Sequence, residues 1–196
     1  KNALLERTFN QLTSVRLEKT KRIEQFLSER FLDLKSIDFL IDKIILSNQE
    51  VFSYLNGQMG TEHYFSSVTI VQADLSFNRF VYQDSLGQFY KTTDIENDSL
   101  LITELDGELK EQSSDCLLSD RYIKDDARPH LFMVYKNKQR GSFIIAEVLP
   151  EAISKIMFER NPHNGMGKTG ESYLVGSDFL MRSASRFQEN SLFVTK

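Results

Sequence analysis

From the start of the chain, apolar residues recur at helical spacing, as Leu5, Phe9, Leu12, Val15, Ile23, Phe26 and Leu27, with neither Gly nor Pro between Asn2 and Leu34. The pattern predicts a single helix of roughly 30 residues and roughly 45 Å, longer than a globular core ordinarily needs. It reads as a stalk. Leu5, Leu12 and Phe26 keep a heptad rhythm that Lys19 interrupts, so the stripe suits packing along a neighbour but is imperfect as a coiled coil. Ser36 then reads as the cap of a second helix carrying Ile37, Leu40, Ile41, Ile44, Ile45, Val51 and Leu55, with Asn56-Gly57 as its stop.

Past Gly60 the period changes. Phe65 to Val71, Arg79 to Gln83 and Gln88 to Thr92 are short β-rich runs separated by Asp74-Leu-Ser76 and Asp84-Ser-Leu-Gly87. Residues 97 to 112 are ambiguous, with Leu100, Leu101, Leu105 and Leu109 near helical spacing. Leu131 to Tyr135 and Ser142 to Val148, joined through Asn137-Lys-Gln-Arg-Gly141, predict an antiparallel hairpin at the centre of a sheet. A short helix should start at Pro150, carry Ala152, Ile153, Ile156 and Met157, and end before Asn161-Pro162. A last hairpin is expected from Glu171 to Val175 and Phe179 to Arg182. The order implies an α+β fold built on an antiparallel sheet rather than alternating βαβ units.

Composition narrows the function. The net charge is −4, with 40% hydrophobic and 27% charged residues, ordinary for a folded protein. No continuous basic face appears, which argues against nucleic acid. Arg7, Arg16, Lys19, Lys21 and Arg22 make the first helix basic, as a solvated face or as the neighbour of an anionic membrane surface. The single Cys116 allows no internal disulfide and no thiolate metal cluster. No run of about 18 apolar residues is present. A first residue Lys1 rather than Met is what a fragment would show, its transmembrane segment belonging to the parent protein.

Candidate chemistry is sparse. Gly165-Met-Gly-Lys-Thr-Gly170 ends like a phosphate-binding loop, but Pro162 stands where that loop needs a glycine, and a helix precedes while a strand follows. His63, His130 and His163 are too scattered for a metal site, and Cys116 within Ser114-Asp-Cys-Leu-Leu118 has no catalytic neighbourhood. Asp115, Asp120, Asp125 and Asp126 read as turn-solvating carboxylates. Asp120-Arg121-Tyr122, lying between a polar loop and the central hairpin, offers both charges and a ring to a small polar ligand. Tyr82 and Tyr135, on predicted strands, complete the candidate ligand-binding set. No catalytic residue, metal or cofactor is expected.

Three stretches resemble the Cache superfamily of extracytoplasmic, PAS-like sensing domains in bacterial receptors. Leu4-Leu-Glu-Arg-Thr-Phe-Asn-Gln-Leu-Thr-Ser-Val-Arg16 resembles the start of the long helix that follows a membrane span. Leu118-Ser-Asp-Arg-Tyr122, with Leu131 to Tyr135 and Gly141 to Val148, is similar to the late strands of the membrane-distal module. Ile153-Ser-Lys-Ile-Met157, Gly165 to Asp178 and Leu180-Met-Arg-Ser183 look like the passage into a membrane-proximal module. The resemblance implies a stalk helix over residues 1–35, a distal module over 36–160 and a partial proximal module over 161–196. In the amino-acid-binding branch of that family an Arg, a Trp, a Tyr and a strand-terminal Asp hold the ligand. Tyr122 matches the tyrosine, whereas this chain has no Trp and carries Ala146 where the Asp should stand, which argues against free amino acids as ligands.

The function implied is sensing of a small molecule at a bacterial inner membrane, with this region facing the periplasm or the outside and a histidine kinase, chemoreceptor rod or cyclase as output. A homodimer through the stalk helix is the expected self-association. The rival readings are a soluble hydrolase using its carboxylates, and a purely structural dimerisation module.

Overall fold

A computed structural model of the chain describes residues 2–44, 48–58, 64–83, 86–92, 98–123, 128–158, 170–189 and 191–193. They form α1 (Asn2–Ile44), α2 (Asn48–Gln58), β1 (Phe65–Val71), β2 (Phe77–Gln83), β3 (Gln88–Thr92), α3 (Asp98–Gln112), β4 (Cys116–Tyr122), β5 (Pro129–Lys136), β6 (Phe143–Val148) and α4 (Pro150–Met157). The α+β class expected from the sequence is the one found. The chain divides into two compact units, one made of Arg30–Leu149 and the other of Lys1–Glu29 with Pro150–Lys196. No described helix is long and apolar enough to cross a membrane.

In the 30–149 unit the strands make one antiparallel sheet in the order β3-β2-β1-β6-β5-β4. The central strand β6 is apolar almost throughout because both of its faces are covered. On one face, Val71, Leu117, Phe132, Val134, Phe143 and Ile145 close a core with Ile102, Leu105 and Leu109 of α3. Ion pairs fix that helix to the sheet, Lys136 to Asp106 at 2.5 Å and Arg121 to Glu104 at 2.8 Å, with Arg121 also meeting Glu108. Residues alternating with these, among them Val68, Ile70, Phe80, Met133, Ile144 and Ala146, are buried on the other face, as are Leu34 and Ile37 of α1 and Val51 and Leu55 of α2.

The first helix runs on past the expected break. At 43 residues it is roughly 65 Å long, and Ser36 is not a cap. Its hydroxyl donates to the carbonyl of Leu32 one turn back at 2.9 Å, which lets a serine sit inside a helix that no Gly or Pro interrupts. Residues 118–122, which the resemblance placed with the late strands, lie in the edge strand β4, paired in register with β5 from Cys116 opposite Tyr135 to Tyr122 opposite Pro129. Only Leu117 and Ser119 of that strand are buried, so its outward positions are free to be polar.

The β5–β6 turn is held by the Asn137 side chain, whose Oδ1 accepts from the Gln139 and Arg140 amides. Gly141, at φ +71°, supplies the left-handed residue that closes it.

In the other unit, Ala152, Ile153 and Met157 of α4 are buried, as are Val15 and Phe26 of α1. Lys19, 3% exposed, donates to the carbonyl of Ile156 at 2.9 Å and so caps the carbonyl end of α4. That explains why a lysine interrupts the heptad rhythm. The expected last hairpin is reduced to one antiparallel bridge between Val175 and Met181, closed by Arg182 paired with Asp178 at 2.9 Å. A side chain at Gly176 would run into that guanidinium.

Candidate functional site

Beside the apolar core that α3 closes, the same sheet face carries Ser67 and Thr69 on β1, Arg79 on β2, Glu147 on β6, His130 on β5, and Ser119 and Arg121 on β4, all by the alternation that puts every second residue on one side. Ser67, Thr69 and Ser119 are buried. This is a polar floor at one end of an otherwise dry sheet.

Its centre is Glu147. One carboxylate oxygen lies 2.7 Å from His130 Nδ1, and the other accepts from the Ser67 hydroxyl at 3.2 Å and stands 3.9 Å from an Arg79 guanidinium nitrogen. The His130 and Glu147 side chains are 15% and 17% exposed. Burial pushes the Glu147 carboxyl up, but the hydrogen bond and charge of His130, a Ser66 hydroxyl and the charge of Arg79 outweigh it and hold the group below the ordinary glutamate range. The anion is therefore the resident form. His130 in turn stacks on Phe132, centroids 6.1 Å apart, which ties the polar cluster to the α3 core. A half-buried anion beside a guanidinium can hold an ammonium group and an anionic group of one small ligand at neighbouring points.

The residues singled out from the sequence are distributed over both faces. Arg121 is on the α3 face, donating to Ser119 at 2.9 Å and to Glu104 at 2.8 Å and also meeting Glu108. Asp120 and Tyr122 alternate with it on the opposite side, both exposed, Tyr122 at 49%. Tyr82 shares that side and stands edge-on to Phe89, centroids 5.3 Å apart. Tyr135 also lies there, facing α1 with Lys35 above its ring. The structure thus does not bring the five together.

Glu147 escaped notice because it reads as one acid among many. The signal was its parity, since a charged residue within the apolar strand Phe143-Ile-Ile-Ala-Glu-Val148 is drawn largely out of water and needs partners. Ala146, which stands where the resembled family carries its Asp, is fully buried on the opposite face.

Among the described residues no cluster of His, Cys, Asp and Glu could hold a metal ion. His63, His163, Asp125, Asp126 and residues 165–169 of the glycine-rich run lie outside the described residues. Burial pushes the Cys116 thiol up, with Lys35 pulling the other way and Asp115 adding to the rise, the reverse of an activated nucleophile.

No protein-family model matches the chain. No curated protein sequence matches it either. Solved structures do. The extracellular domain of a protein assigned as histidine kinase vpHK1S-Z8 superposes with a TM-score of 0.63 at 13% identity, covering 98% of this chain and 73% of that one. The ligand-binding domain of Pseudomonas fluorescens chemoreceptor CtaA, in complex with L-isoleucine, gives 0.60 at 16% identity over 99% and 74%. A domain of a sensory box/GGDEF family protein from Vibrio parahaemolyticus gives 0.60 at 14% identity over 96% and 73%. The chain has the fold of these sensory domains.

Proposed function

We propose that the chain is the non-catalytic, ligand-sensing region of a bacterial transmembrane receptor, facing the outside of the cytoplasm and passing its signal to a histidine kinase. The observation that supports this most is the half-buried Glu147 carboxylate between His130 and Arg79, on the sheet face beside α3. The ligand this floor suits is a small zwitterion, its ammonium group on Glu147 and its anion toward Arg79. Ala146 no longer argues against amino acids, because Glu147 offers a carboxylate on the polar face. CtaA has been solved with L-isoleucine and with L-serine, which supports the same ligand class here.

Signalling needs a ligand that binds two packing states unequally. The part of α1 from Arg30 to Ile44 belongs to the same compact unit as the sheet, so its shift against the sheet is the two-state movement a ligand would bias.

The test is calorimetric titration of the 196-residue chain with a panel of L-amino acids, small amines and organic acids. At least one zwitterion should bind, and at a hundred times Kd it should add about 2.7 kcal/mol of stability. Glu147→Gln should weaken that binding roughly ten- to a hundredfold. A flat response across the panel, or unchanged affinity in the variant, contradicts the proposal.

The same reading includes a homodimer along α1. Leu4, Leu5, Phe9 and Leu12 are 72%, 68%, 69% and 49% exposed, an apolar stripe at helical spacing. Sedimentation should show concentration-dependent association that Leu5→Glu with Phe9→Glu abolishes, with secondary structure unchanged. A monomer at all concentrations refutes the dimer and leaves the ligand site standing.

A further inference from the structure

The sheet face away from α3 carries a groove of about 570 Å³ between α1 and the β5–β6 hairpin. It arises from the helical period. Leu34, Ile37 and Asp38 face inward and are buried, which leaves Leu32, Lys35 and Phe39 on the next stripe of the same helix. Leu32 and Phe39 are 60% and 58% exposed, one turn to either side of Lys35. Tyr135 and Asn137 form the facing wall.

The polar groups around the groove are committed, with two exceptions. Asp38 is paired with Arg140 at 2.5 Å and accepts from Asn137 at 2.7 Å. Asp115, at the strand end nearby, pairs with Lys138 at 2.5 Å. Lys35 makes no ion pair among the described residues, and its ammonium sits 5.7 Å from the centroid of the Tyr135 ring. The Tyr135 hydroxyl makes no hydrogen bond among them. Burial, and after it the charges of Asp38 and Asp115, hold that phenol above its ordinary range, so it stays a donor. The groove therefore presents one uncommitted cation, one uncommitted hydroxyl donor and two exposed apolar side chains. Its volume is that of a small-molecule site.

We propose that this groove is a second ligand site, taking a small amphipathic carboxylate whose anion meets Lys35 and the Tyr135 hydroxyl while its apolar body lies on Leu32 and Phe39. It is independent of the zwitterion site, since the two stand on opposite faces of the sheet. Lys35 and Phe39 belong to α1 and Tyr135 to the sheet, so an occupant bridges the helix and the hairpin that positions Glu147.

The experiment is calorimetric titration of the whole chain with 3-phenylpropionate, and with 3-phenylpropylamine and 3-phenylpropanol as cationic and neutral counterparts. The carboxylate should bind one to one, the alcohol more weakly and the amine not at all. Lys35→Gln should weaken carboxylate binding roughly tenfold, Phe39→Ser should weaken it as well, and Glu147→Gln should leave it unchanged. Equal binding of carboxylate and amine, or no binding of the carboxylate, overturns the proposal. So does an affinity that falls in Glu147→Gln and not in Lys35→Gln, which would assign the carboxylate to the other face.

Discussion

Phe132→Ala is expected to cost the 30–149 unit about 3–5 kcal/mol, the range for truncating a buried Phe, and so a large share of the stability such a unit commands. Phe132 is 2% exposed and lies in the core that α3 closes against β5 and β6. Around it stand Ile102, Leu105 and Leu109 on the helix and Leu117, Val134 and Ile145 on the strands, so the cavity has walls on two elements that cannot both move in to fill it. His130 loses the ring it stacks on, and the polar floor loosens with the core. Phe179 is the contrast. It is 77% exposed and held at φ +64°, so Phe179→Ala should change stability by less than about 0.5 kcal/mol. Urea unfolding of the two variants against the wild type reads both numbers. Equal midpoint shifts would mean that the α3 core does not carry the stability of the sheet.

Much of this fold is written in short-range pattern. β1 and β3 have the bounds that their β-branched and aromatic runs predict, and α4 starts at Pro150, where a missing N–H costs nothing. The misreadings have one kind of cause, a polar residue whose partner is distant or unusual. Ser36 looks like a cap until its hydroxyl is seen to bond back to Leu32. Lys19 looks like a break in the stripe until α4 brings the Ile156 carbonyl to it across 137 positions of chain. β4 shows little apolar alternation of its own, because an edge strand buries few of its side chains. The candidate site was legible in part only. Asp120, Arg121 and Tyr122 are adjacent in sequence, and strand alternation sends Arg121 to one face and its two neighbours to the other. Glu147, Arg79 and His130 come from three strands, and nothing local in the sequence links them.

Glu147→Gln is expected to destabilise the protein at neutral pH on the order of 3 kcal/mol, because it takes from the part-buried Arg79 guanidinium the carboxylate beside it. The loss should also depend on pH in a defined direction. The Glu147 carboxyl is held below its ordinary value of 4.5, so the folded state binds that proton more weakly than the unfolded chain does. Its contribution is then fully present above pH 4.5 and disappears as the pH falls through that value and on through the lowered folded one. The Gln variant has no such proton to take up. Thermal unfolding of both proteins from pH 7 down to pH 3 should therefore show the wild-type advantage constant at first and shrinking on the acid side. An advantage that survives undiminished at pH 3 would mean that the carboxylate is not the charged partner of Arg79. The zwitterion proposal would then lose its anchor, while the Lys35 groove on the opposite face would be unaffected.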